Sequence, residues 1–316
     1  MKKAFFSCLE KLAEKDSSIT LLTGDLGFSV LEKFKEKFPK RFYNAGIAEQ
    51  SMIGISAGLA LCNKKPFVYS IIPFLTMRCF EQVRVDLAQQ NLPVRLVGTG
   101  GGFSYGLDGV THHATEDLAI MRVLPNMTVA CPADPFEAVQ ALEKSQEIRG
   151  PVYFRLSENS RDLYEHSSFE FGRATCVREG SNATVFCTGP VLENVLKAAS
   201  FLKKEKGISI AVYSVHCIKP LDEKAVLTAA EKGVPVFSVE EHSKTGGLGS
   251  AISEVLSPFE CKPAHFILGL PDAFQKTVGS RDFLISKAGL SAQRLAQEMF
   301  LRILKGKRNR IKFSKR

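Results

Sequence analysis

The chain contains no tryptophan, and none of its apolar runs reaches the ~18 residues that a membrane-crossing helix needs. A membrane partner is therefore not expected. Met1-Lys-Lys-Ala-Phe-Phe-Ser-Cys-Leu9 mimics the start of a signal peptide, but Glu10, Lys11, Glu14 and Lys15 follow at once. Phe5, Leu9 and Leu12 recur at helical spacing and predict an amphipathic first helix instead. The cysteines at 8, 62, 79, 131, 176, 187, 217 and 261 form no Cys-x-x-Cys pair and lie near no histidine cluster. That pattern argues against a zinc site or a disulfide framework, and for reduced thiols in a cytoplasmic protein. Also missing are a Gly-x-Ser-x-Gly elbow, a phosphate loop ending in Gly-Lys-Ser/Thr and a metal-binding histidine pair at helical spacing. The run Gly98-Thr-Gly-Gly-Gly-Phe-Ser-Tyr-Gly106 follows a strand but fails the Gly-x-Gly-x-x-Gly spacing, so it reads as a flexible active-site loop.

A length of 316 residues suits about two domains at ~150 residues each. The net charge of +9 is concentrated at one end, where Lys305, Lys307, Arg308, Arg310, Lys312, Lys315 and Arg316 crowd together. A basic end without aromatic interleaving reads as a solvated tail, and a nucleic-acid partner is not expected.

Strand-like apolar runs alternate with helical stretches along the chain. Runs at 18–22, 66–72, 94–97, 128–130 and 152–154 predict strands, and helices are expected near 29–38, 48–62, 75–90, 116–123 and 135–146. The polar segment 157–168 breaks the alternation. A second set follows, with strands at 183–187, 209–213 and 235–239 and helices near 191–205, 222–231 and 249–257. The expectation is an α/β chain of two domains, each a mainly parallel sheet flanked by helices, over 1–165 and 166–304 with a basic tail at 305–316.

One short stretch stands out chemically. In Arg41-Phe-Tyr-Asn-Ala-Gly-Ile-Ala-Glu-Gln50, Glu49 opens a helix made of small and apolar residues. A helix N-terminus favours an ionised carboxylate, whereas burial disfavours it. That conflict suits a group that holds or shares a proton, and it equally suits a helix-start carboxylate with no chemistry.

Gly46-Ile-Ala-Glu-Gln50, Ala57-Gly-Leu-Ala60, Lys65-Pro66, Phe74-Leu75, Asp108-Gly-Val-Thr-His112 and Pro125-Asn-Met127 resemble, in order and spacing, the pyrimidine-binding domain of the transketolase family. Thr188-Gly-Pro190, Ile218-Lys-Pro-Leu-Asp222 and Val239 to Gly249 resemble that family's C-terminal domain. The resemblance implies a thiamine-diphosphate enzyme. It makes Glu49 the catalytic glutamate that bonds the cofactor's aminopyrimidine nitrogen, and so promotes proton loss from the thiazolium carbon. It makes Phe74 the aromatic that stacks on the pyrimidine and His112 a donor or proton shuttle at the substrate oxygen. Asp108 would read a donor hydroxyl, Asp25 would lie on the cofactor side and Ser29 on the side of a substrate phosphate. Arg78, one turn past Phe74, would meet an anionic substrate group. Adjacent His113 is a bystander, Arg155 is structural, and His242, before a glycine-rich helix start, is a close-packed subunit contact or else part of an anion site.

Two departures shape the reading. The family's Gly-Asp-Gly…Asn signature, which anchors diphosphate and Mg²⁺, has no counterpart here, so no metal ligand is assigned to this chain. Where phosphate-gripping relatives carry Arg, this chain has Glu158. The sequence therefore implies the C-terminal subunit of a split transketolase-like enzyme, which transfers a two-carbon ketol unit between sugars or sugar phosphates. Its N-terminal partner would bind Mg²⁺, and the chain would also pair with itself inside a heterotetramer. The alternatives are a deoxyxylulose-phosphate-synthase-like or 2-oxo-acid dehydrogenase β-type subunit, and a catalytically silent assembly subunit.

Overall fold

Helix α1 (Lys2–Lys15) places Phe5, Phe6 and Leu9 on one buried face, as its spacing predicts, and Phe5 meets Phe154 edge-on at 5.2 Å. The computed structural model describes residues 1–166, 168–260 and 262–313, with side chains through Lys305. The seven described cysteines are free, and Cys8, Cys79, Cys131, Cys187 and Cys217 are buried. No described helix is long and apolar enough to cross a membrane.

The first sheet is built from β1 (Ile19–Thr23), β2 (Phe42–Asn44), β3 (Lys65–Ile71), β4 (Arg95–Thr99), β5 (Thr128–Ala130) and β6 (Val152–Leu156). Every residue of β1, β4, β5 and β6 is buried, the mark of parallel strands covered on both faces. The cover comes from α1, α3 (Glu49–Leu61), α6 (Asp117–Val123) and α7 (Pro135–Ser145), beside the short α2 (Glu32–Lys37). Asp134 caps α7 by accepting from the Glu137 N–H at 3.0 Å, which bears out the start signal in Asp134-Pro135. The second sheet contains β7 (Thr175–Arg178), β8 (Ala183–Thr188), β9 (Ile210–Ser214), β11 (Val236–Ser243) and β12 (His265–Leu270). Around it lie α8 (Leu192–Lys206), α9 (Glu223–Glu231), α10 (Leu248–Leu256), α11 (Arg281–Lys287) and α12 (Ala292–Phe313). Of the basic stretch, backbone up to Phe313 continues α12, and its solvated-tail reading otherwise lies outside the described residues.

With β10 spanning Cys217–Lys219, the sheet orders are β10-β5-β6-β4-β3-β1-β2 and β12-β11-β8-β9-β7. Strand β10 belongs to the second half of the chain, yet it pairs antiparallel with β5 at the edge of the first sheet. The remaining pairings are parallel apart from β7 with β9.

Two expectations need correction. The helix expected over 29–38 is only α2 with a 3₁₀ turn behind it, because Ser29 adopts a positive φ of 64° and delays the start. The helix expected over 75–90 is broken into α4 (Ile72–Thr76), a short turn α5 (Phe80–Gln82) and a wide π-type turn over Val83–Ala88. In that last turn the Gln89 N–H reaches back five residues to the Arg84 carbonyl. Such widened turns recur at functional sites.

Candidate active site

The site lies at the carboxyl ends of β1, β3 and β4, where parallel sheets usually place ligands. Its floor is a knot between two loops. Asn44 Oδ1 accepts from the Asp25 N–H at 3.1 Å and the Gly46 N–H at 2.9 Å, and the Ala45 N–H donates to the Thr23 carbonyl at 2.9 Å. This knot aims the first residue of α3 back over the sheet. Glu49 is 2% exposed, and the Ser70 hydroxyl of β3 donates to its Oε1 at 3.4 Å. A Cβ added at Gly24 would lie 3.3 Å from that same oxygen, so the carboxyl group rests against bare backbone.

Pro73, in the first turn of α4 directly after β3, is followed by Phe74, which reaches Glu49 through Arg78. The Arg78 Nη1 donates to Glu49 Oε2 at 2.6 Å, and its guanidinium carbon sits 4.2 Å from the centre of the Phe74 ring. The His112 ring meets Phe74 edge-on at 5.2 Å. One His112 nitrogen, Nδ1, lies 3.0 Å from the Thr111 hydroxyl, which leaves Nε2 for other partners. Glu49, Phe74, Arg78 and His112 therefore form one connected group. Arg78 differs from its expected use: its partner here is Glu49. Cys79, one residue on, has its thiol pushed up to about 12 by burial and then by the Glu49 charge, so it is inert beside the site.

The other expected residues stand apart. Asp25 is exposed with φ of 56°, its carboxylate accepting from Asn44 Nδ2 at 2.9 Å, one residue from the Gly24 that abuts Glu49. Ser29 is exposed on the next loop, where its N–H donates to Glu32 Oε1 at 2.6 Å. Asp108 is exposed at a turn closed by its own N–H onto the Tyr105 carbonyl at 3.1 Å, four residues before His112. No described hydrogen bond ties the Asp108 or Ser29 side chain to the Glu49 group.

Tyr105 is a residue that sequence reasoning missed. Its ring lies 6.4 Å from His112, and its hydroxyl is 3.4 Å from the Thr99 hydroxyl. Gly100, at φ of 94°, makes room for it, because a Cβ there would fall 2.4 Å from the Tyr105 ring carbons. The glycine run is the available signal. Its sequence reads as a flexible loop, but the structure ties it down. The Gly100 and Gly101 N–H groups donate to the Leu156 carbonyl at 3.0 and 3.2 Å, and Gly102 exchanges both backbone bonds with Ala114 at 3.0 Å. Behind the loop, Glu241 accepts from the Phe103 N–H at 2.8 Å and pairs with Arg281.

Arg155 is structural as expected. It is fully buried, bonds Asp117 at 2.8 Å and also donates to the Ala114 and Glu241 carbonyls at 2.7 and 3.0 Å. His113 is buried against Phe103 at 5.1 Å. His242 is corrected. It is 0% exposed within this single chain and accepts from the Ala119 N–H at 3.3 Å, so it joins the two halves of the chain and does not face another subunit. The glycine-rich start of α10 is likewise filled from within, since Glu240 accepts from the Leu248 and Gly249 N–H groups at 2.7 and 2.8 Å. Glu158 is exposed and lines a 720 Å³ cavity together with Lys2, Lys3, Arg161 and Glu193.

The residues fit a planar aromatic cofactor ring. A buried carboxyl group, an aromatic face and a bare backbone wall converge, and the guanidinium between them shows that a flat N–H donor is accommodated. A metal is a different matter. Among the described residues, the one cluster able to hold an ion is Asp134, which caps α7, with Asp162 and His166 of the segment joining the two halves of the chain.

Comparison with known proteins gives a consistent picture. Residues 1–162 match the transketolase pyrimidine-binding domain and residues 172–295 the transketolase C-terminal domain. The chain is similar to a putative transketolase C-terminal section of Methanocaldococcus jannaschii, 34% identical over 304 residues and 95% of each chain. It is also similar to one subunit of the apulose-4-phosphate transketolase of Phocaeicola vulgatus, 38% identical over 86% of this chain and 87% of the relative. A solved split-gene transketolase, described as an inactive β4 tetramer, superposes with a TM-score of 0.86 at 35% identity, covering 96% of this chain and 97% of that one.

Proposed function

Because this chain belongs to the transketolase family, we propose that it is the C-terminal subunit of a split transketolase, transferring a two-carbon ketol unit between sugars with thiamine diphosphate. The observation that carries this reading is Glu49, 2% exposed at the start of α3, with Phe74 and His112 gathered at the same strand ends. When bound, thiamine diphosphate supplies a carbon nucleophile that also acts as an electron sink. Glu49 would hold a proton at the pyrimidine nitrogen, where exclusion of water strengthens the hydrogen bond. Phe74 would fix the ring plane, and His112 would donate to or take a proton from the substrate oxygen. Asp25 completes the cofactor side, while Asp108 and Ser29 extend toward the sugar. A silent assembly role would leave this set without a purpose. The Methanocaldococcus jannaschii and Phocaeicola vulgatus relatives match over 95% and 87% of their own length, whereas deoxyxylulose-phosphate synthases match over only about half of theirs, which favours a transketolase subunit over a synthase-like one.

The diphosphate and Mg²⁺ belong to an N-terminal companion subunit in this reading, since no carboxylate cluster stands beside Glu49 among the described residues. The working form is a heterotetramer in the cytoplasm, with each site at a chain interface. Within this chain, the pyrimidine-binding unit spans 1–165 and the C-terminal unit 166–304. The deciding experiment assays ketol transfer with excess cofactor and Mg²⁺, using the pure chain and the chain mixed with its companion. Activity is expected only in the mixture. Robust turnover by the pure chain alone would overturn the split-enzyme reading.

A further inference from the structure

Arg78 stands where the proposed function puts the cofactor's pyrimidine ring. A guanidinium is flat, carries N–H donors in its plane and stacks on aromatic faces. Here it does both at once, bonding Glu49 Oε2 at 2.6 Å while lying 4.2 Å from the Phe74 ring centre. Those are the two contacts that a planar aminopyrimidine needs, one at its edge and one on its face. The backbone of Arg78 is fixed beside them. Its N–H donates to the Pro73 carbonyl at 3.1 Å, and Gln50 Nε2 of α3 donates to its carbonyl at 3.3 Å. The two partners differ in freedom, however. The Glu49 side chain is 2% exposed and that of Arg78 is 41% exposed, so the arginine has solvent to swing into and the glutamate does not.

We propose that Arg78 is a resident competitor for the pyrimidine slot: it pairs with Glu49 and covers Phe74 until the cofactor ring displaces it. The inference rests on the functional reading above and adds a gate to it. A buried carboxylate stripped of its partner is strongly unfavourable, so Arg78 keeps Glu49 satisfied in the chain before assembly. Displacing it gives up an ion pair and a stack together. Binding contacts made by the companion subunit to the diphosphate offset that loss, so cofactor entry is favoured only after the companion has docked. The apparent cofactor affinity is reduced by the fraction of molecules whose slot is open.

The test measures thiamine diphosphate affinity by equilibrium dialysis in the complex with the companion subunit and Mg²⁺, for wild type, Arg78→Ala and Arg78→Lys. Arg78→Ala should bind about tenfold more tightly than wild type, and Arg78→Lys, which keeps charge but not the flat stack, should fall between them. Low-millimolar guanidinium should then compete with the cofactor in Arg78→Ala and have little effect in wild type. Weaker binding in Arg78→Ala would show that Arg78 supports the bound ring, equal binding that it takes no part, and either would overturn the gate. If Arg78→Ala fails to assemble, the order of Arg78→Lys against wild type decides. Failure of the functional reading itself looks different: no protein, wild type included, would bind thiamine diphosphate with the companion present.

Discussion

At the scale of single residues, the site depends on one carboxyl group that the fold has almost removed from water. Glu49→Gln keeps the shape of the side chain but exchanges one acceptor oxygen for an N–H donor, and it cannot share a proton with a ring nitrogen. Proton exchange at the cofactor's reactive carbon should fall about 10²–10⁴-fold in the assembled enzyme, the usual range for losing an acid–base group. Exchange measured by NMR at the wild-type rate would remove Glu49 from that role. That Glu49, Phe74 and His112 come together was legible because each sits in a short motif whose order survives in one dimension. Arg78 and Tyr105 were not legible in the same way. The Arg78 partner lies 29 positions away across two helices, and Tyr105 is defined by a glycine's backbone angle. Gly100→Ala tests that second point. The new Cβ would meet the Tyr105 ring at a φ of 94°, so denaturant unfolding should show a loss of about 1–3 kcal/mol and the His112 NMR signals should shift. Unchanged stability would mean that the loop tolerates the side chain and that Tyr105 is not seated by Gly100.

At the scale of elements, helices with a plain apolar face and a cap signal, such as α7 and α9, fell within a residue or so of their expected ends. The sequence pattern was least informative where tertiary contact decides the structure. Strand β10 is three residues long and exists because the first sheet's edge at β5 is open to it. Strand β12 is only half-buried along most of its length, so its apolar run does not announce itself. It carries a pH-sensitive joint all the same. His265 Nε2 is 3.0 Å from the Ser238 hydroxyl of β11, and Nδ1 is 3.0 Å from the Ser253 hydroxyl of α10. Burial pushes this imidazole down to about 4, from 6.5 in the open chain. The unfolded state therefore binds the proton first. Stability from this group is fully present above pH 6.5 and is lost as the pH falls toward 4, by up to about 3 kcal/mol. His265→Gln should flatten the melting temperature over that window relative to wild type. Parallel profiles for the two proteins would show that His265 is not the titrating joint.

At the scale of the whole molecule, α3 carries Glu49 at its first position and turns a second, exposed face outward. Its inner face buries Met52, Ile53, Ala57 and Ala60, while its first residue is the Glu49 of the site. The outer face is apolar as well: Ile55 is 48% exposed and Leu61 62%, with Ile47 at 80% just before the helix. Gly54 and Gly58 lie between them, and a Cβ added at either would meet nothing within 4 Å. In a free-standing chain such a face has no reason to be both apolar and shaved of side chains. Small residues let another backbone approach closely, so this face suits a subunit seam, which would tie the position of Glu49 to assembly. Gly58→Arg separates the two states. Arginine is a better helix former than glycine and its Cβ meets no neighbour, so the lone chain should unfold at the same or slightly higher denaturant concentration, a gain of about 0.5–1 kcal/mol. In the assembled enzyme the same side chain would push into the seam, and sedimentation should show subunit association weakened with ketol transfer lost in parallel. If Gly58→Arg associates and turns over like wild type, the outer face of α3 is simply solvent-facing, and the seam must be sought elsewhere on the molecule.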